Sequence, residues 1–133
     1  MPLHRKETSP EDLYRGGTKE NNKMTYVRTP AMVAAKICES HDIETDVRGG
    51  VTYVTGLSGG ISLYNQTSSA RKWWYRVPQQ KLPVGLVFQW RGPEAELPTP
   101  GTHYQIEPLV DMTLEYYQQL LGKVQVDTKP IAS

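Results

Sequence analysis

Apolar residues along this chain fall in short stretches, and glycine or proline separates almost every stretch from the next. Residues 12–17, with Leu13, Tyr14 and Arg15 ahead of the paired Gly16 and Gly17, read as a strand, followed by a polar loop through Asn22. Thr29 before Pro30 is a helix start, a capping hydroxyl followed by proline at the first helical position. Val33, Ala34, Ile37 and Cys38 recur at helical spacing, which predicts an amphipathic helix to about Ser40. Residues 51–55 are β-branched and aromatic between glycines and predict a strand, whereas 58–66 read as a short helix. Strands are expected over 72–77, 84–90 and 102–107, bounded by Pro78, Pro83, Pro93, Pro98, Pro100 and Pro108. Asp111 is placed to cap a last helix in which Leu114, Tyr117 and Leu121 share a face, with Gly122 as its stop. Residues 1–11 read as a flexible start, 12–126 as one domain and 127–133 as a tail. This order of elements predicts an α+β fold rather than alternating βαβ units.

At 133 residues the chain has the size of one domain. No apolar run reaches the roughly 18 residues of a membrane span, and no apolar core follows the N-terminal charges as in a secretory signal. The one cysteine, Cys38, allows no internal disulfide, so a reducing, cytoplasmic setting is expected. His4, His41 and His103 lack metal-ligand spacing, and no metal site is expected. The net charge is only +1, yet residues 47–93 hold no carboxylate while Arg48, Arg71, Lys72, Arg76, Lys81 and Arg91 all fall there. Trp73, Trp74, Tyr75, Phe88 and Trp90 are interleaved with them. Such a stretch suits a phosphate-bearing ligand, a nucleic acid or an acidic protein partner, and solvated strand flanks account for it equally.

Two local patterns bear on chemistry. Gly56, Ser58 and Gly60 match the G-x-S-x-G nucleophile elbow after a predicted strand, and Ser58, Glu94 or Glu96, and His103 give a triad in chain order. Only about 50 residues precede Ser58, too few for the parallel strands and crossovers that present such an elbow. A small serine hydrolase is therefore the third choice. In the strand at 102–107, alternation puts His103, Gln105 and Glu107 on one face and Tyr104 and Ile106 on the other, as in a strand lining a cleft or one at an exposed edge.

Three segments together resemble the mono-ADP-ribosyltransferase fold: Leu13, Tyr14, Arg15 and Gly16 on the first strand, Tyr53 through Ser62 in the middle, and Gln105, Ile106 and Glu107 on a late strand. Within that family the chain is most similar to a small cytoplasm-acting toxin delivered by type VI secretion, over about residues 13–121. That toxin has Thr-Ser after its paired glycines where this chain has Ile61 and Ser62, and it has no glutamate at the place of Glu107. The resemblance implies a split, twisted mixed sheet with a few flanking helices and a cleft between Arg15, Tyr53, Ser62 and Glu107. It implies NAD as substrate, with Arg15, Tyr53, Ser58, Gly59, Gly60 and Trp74 binding it and Glu107, Ser62 and Gln105 in catalytic roles.

Cleaving the bond between nicotinamide and ribose develops positive charge on the sugar, which a carboxylate stabilises. Arg15 offers a planar fork to the pyrophosphate, and a helix beginning at Gly59 and Gly60 turns N–H groups toward the same anion. Tyr53 or Trp74 can stack on nicotinamide, and Ser62 can orient Glu107 or a ribose hydroxyl. The expected function is a cytoplasm-acting toxin that transfers or hydrolyses ADP-ribose, with an acidic immunity protein as partner and a protein or nucleic acid as target. The alternative is a non-catalytic toxin or interaction module on a degenerate form of the fold.

Overall fold

A computed structural model describes residues 2–93 and 98–133 of the chain. Its elements in chain order are β1 (Leu3–Lys6), β2 (Leu13–Gly17), α1 (Pro30–Ala34), β3 (Thr45–Arg48), β4 (Val51–Val54), β5 (Ile61–Tyr64) and β6 (Trp73–Val77). There follow β7 (Leu86–Arg91), β8 (His103–Pro108), β9 (Met112–Thr113), α2 (Leu114–Leu121) and β10 (Ile131–Ala132). Seven strands form one sheet in the order β1-β7-β8-β5-β2-β6-β10, and β3-β4-β9 form a second. With two helices among the described residues, the molecule is α+β. The expected mixed sheet is instead antiparallel at every described pairing. Parallel neighbours need long crossovers, usually helical, and helices of 5 and 8 residues do not supply them.

The core follows from strand alternation. Ile61 and Leu63 of β5 are fully buried, as are Tyr104 and Ile106 of β8, and Phe88 of β7 faces Ile106 across the pair. Helix α2 closes this core with Tyr117, Leu120 and Leu121, so the expected apolar face is present. Its cap differs from expectation. The Thr113 side chain accepts the Tyr116 N–H, while Asp111 accepts the Gly56 N–H and pairs with Arg48. Those two contacts hold the Asp111 pKa below its ordinary value.

Two further expectations are corrected. Helix α1 begins at Pro30 under the Thr29 cap as read, but it ends at Ala34, and Lys36 takes a left-handed φ of 60°. Its apolar face packs on nothing that buries it (Ile37 is 64% exposed), so little tertiary packing repays extension of the helix. Residues 58–66 hold strand β5 rather than a helix, because Ile61 and Leu63 alternate into the core at strand spacing. Both ends carry a paired strand: β1 pairs with β7, and β10 pairs with β6. The Arg76 guanidinium fastens both ends by pairing with Asp12 at 3.0 Å and Asp127 at 2.9 Å. Among the described residues no helix is long and apolar enough to cross a membrane.

Tyr117 joins helix to sheet. Its hydroxyl donates to the Ile106 carbonyl at 2.6 Å and accepts the Ile61 N–H at 3.2 Å, and burial raises its pKa. Tyr117→Phe leaves two buried main-chain groups short of a partner. It is expected to lower unfolding free energy by about 1–3 kcal/mol, read as a lower urea midpoint at unchanged slope.

Candidate functional site

The site begins at a gap in the large sheet. Strand β2 pairs with β6 along its whole length, from Leu13 opposite Val77 to Gly17 opposite Trp73. With β5 it shares the single register position Tyr14 opposite Tyr64. Past that point Arg15 spans the opening. Its Nη1 donates to the Ser62 carbonyl at 2.9 Å, its Nε and Nη2 to the Lys23 carbonyl at 3.3 and 3.0 Å, and its Nη2 to the Tyr26 carbonyl at 3.1 Å. All of these partners are main-chain carbonyls, so the fork is fixed in place while its charge is not neutralised by contact. Burial lowers the Arg15 pKa, the field of Asp42 partly opposing this, and the group stays a cation at any physiological pH.

Arg15 opens onto a cavity of about 420 Å³. Lys23, Arg28 and Arg71 bring further positive charge to its wall, and Tyr26, Tyr64 and Trp74 bring flat apolar surface. Arg28 is held by Asp42 at 2.7 Å, which offsets one of these charges. Lys23 lies over the Tyr26 ring at 4.9 Å. Arg71 lies across Gly16, where a Cβ would come 2.9 Å from its Cγ, so the glycine after Arg15 makes room for a second guanidinium. Trp74 is fixed by donating its indole N–H to the Ser68 carbonyl at 2.9 Å and meets the Tyr64 ring edge-on at 6.0 Å. Cations beside aromatic faces suit a ligand with phosphates and a planar ring.

Ser62 lines the same cavity beside Arg15. Its hydroxyl lies 2.8 Å from His103 Nε2, and the His103 ring stacks on Tyr64 at a centroid distance of 5.1 Å. Burial lowers the His103 pKa, with the Arg28 charge in the same direction and Asp42 against it, so the imidazole is neutral at pH 7. His103 also faces a second cavity of about 470 Å³, which shares Gly101 with the first. Gln105 lies opposite Ser62 in register and donates to the Gly60 carbonyl at 3.4 Å.

The remaining residues of the expected cleft lie elsewhere. Glu107 is 2% exposed and does not line the Arg15 cavity. One of its oxygens accepts from Arg5 Nε at 2.9 Å, the other from the Gly59 N–H at 3.1 Å. That N–H, expected to face a ligand anion from a helix start, is thus used by the protein's own carboxylate. Gly59 has φ +125°, and a Cβ on it would collide with the Asp42 carbonyl; one on Gly60 would collide with the Ile106 carbonyl. The paired glycines therefore serve chain packing. Ser58 donates to the Thr55 carbonyl at 2.8 Å and accepts the Glu44 N–H at 3.1 Å, clipping a loop. The expected base of its triad, His103, contacts Ser62 instead, and Glu94 and Glu96 lie outside the described residues. Tyr53 lies on the small sheet with Arg48 stacked over it at 4.7 Å, away from the cavity.

The structure thus brings Arg15, Ser62 and Trp74 to one cavity, sets Gln105 and Gly60 beside Ser62, and leaves Glu107, Gly59, Ser58 and Tyr53 outside it. Sequence reasoning missed Tyr64, Tyr26, Lys23 and Arg28. Strand alternation from Ser62 would have found Tyr64, once 58–66 was read as a strand; Lys23, Tyr26 and Arg28 carry no comparable signal. Comparison with protein-family models, with curated proteins and with solved structures found no match.

Because Glu107 is buried against a partly exposed arginine, Glu107→Gln is expected to cost about 2–3 kcal/mol of stability, measured by denaturant unfolding. An unchanged midpoint would show that the pair holds nothing together.

Proposed function

We propose that the Arg15 cavity binds NAD and that the chain is a toxin domain of the ADP-ribosyltransferase type, transferring or hydrolysing the ADP-ribose part in the cytosol of a target cell. The observation that carries this reading is Arg15 itself. A desolvated guanidinium held only by carbonyl dipoles retains an unsatisfied preference for an anion, and it lies in a cavity with Arg71, Lys23 and three aromatic rings. A pyrophosphate flanked by planar rings matches that combination of charge and surface. The split between β2 and β5, and the order of the short motifs along the chain, agree with the same reading.

The chemistry asks for a group that stabilises positive charge on the ribose. Glu107 is engaged by Arg5 and Gly59 outside the cavity, so the groups of the expected set that face a ligand there are Arg15, Ser62 and Trp74. That observation favours one second reading, a domain that binds the nucleotide or a partner without turnover. An acidic immunity protein would find its electrostatic complement in the same cationic wall.

Calorimetry with NAD, followed by an assay for released nicotinamide, separates the two readings: binding with release supports the enzyme, binding alone the second, and no binding removes NAD from both. Arg15→Lys keeps a charge but cannot reach Ser62 and the Lys23 and Tyr26 carbonyls together. It is expected to weaken NAD binding at least about tenfold and to relieve toxicity when the chain is expressed in a bacterial cytosol. Wild-type affinity in this variant would exclude Arg15 as the anion-binding group.

A further inference from the structure

We infer that His103 is a positioning residue that holds the Ser62 hydroxyl as a hydrogen-bond acceptor toward the cavity, so that the site selects a ligand carrying a free hydroxyl beside its phosphates. A serine hydroxyl has one proton and two lone pairs. When Nε2 of the neutral imidazole is the unprotonated nitrogen, Ser62 gives its proton to that nitrogen across 2.8 Å. Only lone pairs then remain for the cavity, and these accept an O–H but repel a phosphate oxygen. The phosphates are left to the guanidinium groups, and hydroxyl and guanidinium read different parts of one ligand. Under the NAD reading, on which the identity of the ligand rests, the selected group is a ribose hydroxyl.

The surroundings keep this arrangement in place. Arg15 fixes the main chain at Ser62 through its carbonyl, and Tyr64, two residues on, holds the imidazole by stacking. Gln105, the cross-strand neighbour, places its amide N–H on the Gly60 carbonyl. Ser62 and Tyr64 face the ring from β5, Gln89 and Arg91 from β7 across the second cavity, and the charges of Arg28 and Asp42 reach it from their loops. Burial and Arg28 disfavour protonation and Asp42 favours it, with a net downward shift. Once protonated, Nε2 becomes a donor to Ser62, whose own proton turns outward as a donor that a phosphate oxygen accepts as readily as a hydroxyl does. Selectivity for a hydroxyl over a phosphate is therefore full above the His103 pKa and falls as pH drops through it.

Two measurements test this. Nitrogen-15 NMR of the free protein is expected to show His103 with its proton on Nδ1; a proton on Nε2 at neutral pH overturns the inference whatever the ligand proves to be. Calorimetry then compares NAD with inorganic pyrophosphate on wild type and His103→Phe, which keeps a ring against Tyr64. At about pH 7.5 the variant is expected to bind NAD about tenfold more weakly and pyrophosphate within about twofold of wild type. The preference for NAD over pyrophosphate is expected to fall in wild type as pH drops through the His103 pKa, which lies below the ordinary imidazole value, and to show no such fall in the variant. Equal weakening toward both ligands, or an unchanged pH dependence, overturns the positioning role. Pyrophosphate binding with no NAD binding overturns the NAD reading instead, and the His103 tautomer then decides the inference alone.

Discussion

The structure depends on one cation placed where a sheet comes apart. Strands β2 and β5 meet at Tyr14 and Tyr64 and then diverge, and main-chain carbonyls exposed by that divergence need donors. The planar fork of Arg15 reaches the Ser62 carbonyl on one side and the Lys23 and Tyr26 carbonyls on the other. A single group thus repairs the hydrogen bonding of the gap and leaves a positive charge inside it. Bracing and charge cannot be separated at Arg15: the group that holds the opening together also makes it electropositive.

The acid-free stretch from 47 to 93 takes on a different meaning in three dimensions. Arg48 pairs with Asp46 and Asp111, Arg76 with Asp12 and Asp127, and Lys81 with Glu7, so carboxylates from outside the stretch neutralise much of it. All of these pairs are solvent-exposed and individually weak. Their effect on the field is larger than their effect on stability, because positive potential is left concentrated at Arg15, Arg71 and Lys23 around one cavity.

Much of this was legible from residue order. Proline boundaries located β6, β7 and β8, alternation put Tyr104 and Ile106 on one face, and Thr29 with Pro30 marked the start of α1. The errors have a common cause, which is that local signals were outweighed by distant partners. Gly59 and Gly60 look like a helix start, yet Glu107 takes one N–H and the Ile106 carbonyl crowds the other glycine. Asp111 looks like a helix cap, yet Arg48, far off in sequence, engages it. His103 was weighed with Ser58, but register across β5 and β8 gives it to Ser62, and register is set by the whole sheet. Arg15 and Ser62 were identified because short motifs carried them. Tyr64 was missed because its strand was read as a helix.

The two edges of the seven-stranded sheet are β1 and β10, and each pairs with a strand remote from it in sequence. Leu3 finds its partner in Arg91, and Arg5, whose guanidinium compensates the buried Glu107, lies on that same edge strand. Until β1 docks during folding, β7 is unpaired on one side and the Glu107 carboxylate lacks its counter-ion. Such non-local closure slows folding. It leaves the apolar edges of β6 and β7 open to the wrong chain for as long as the correct ones have yet to arrive.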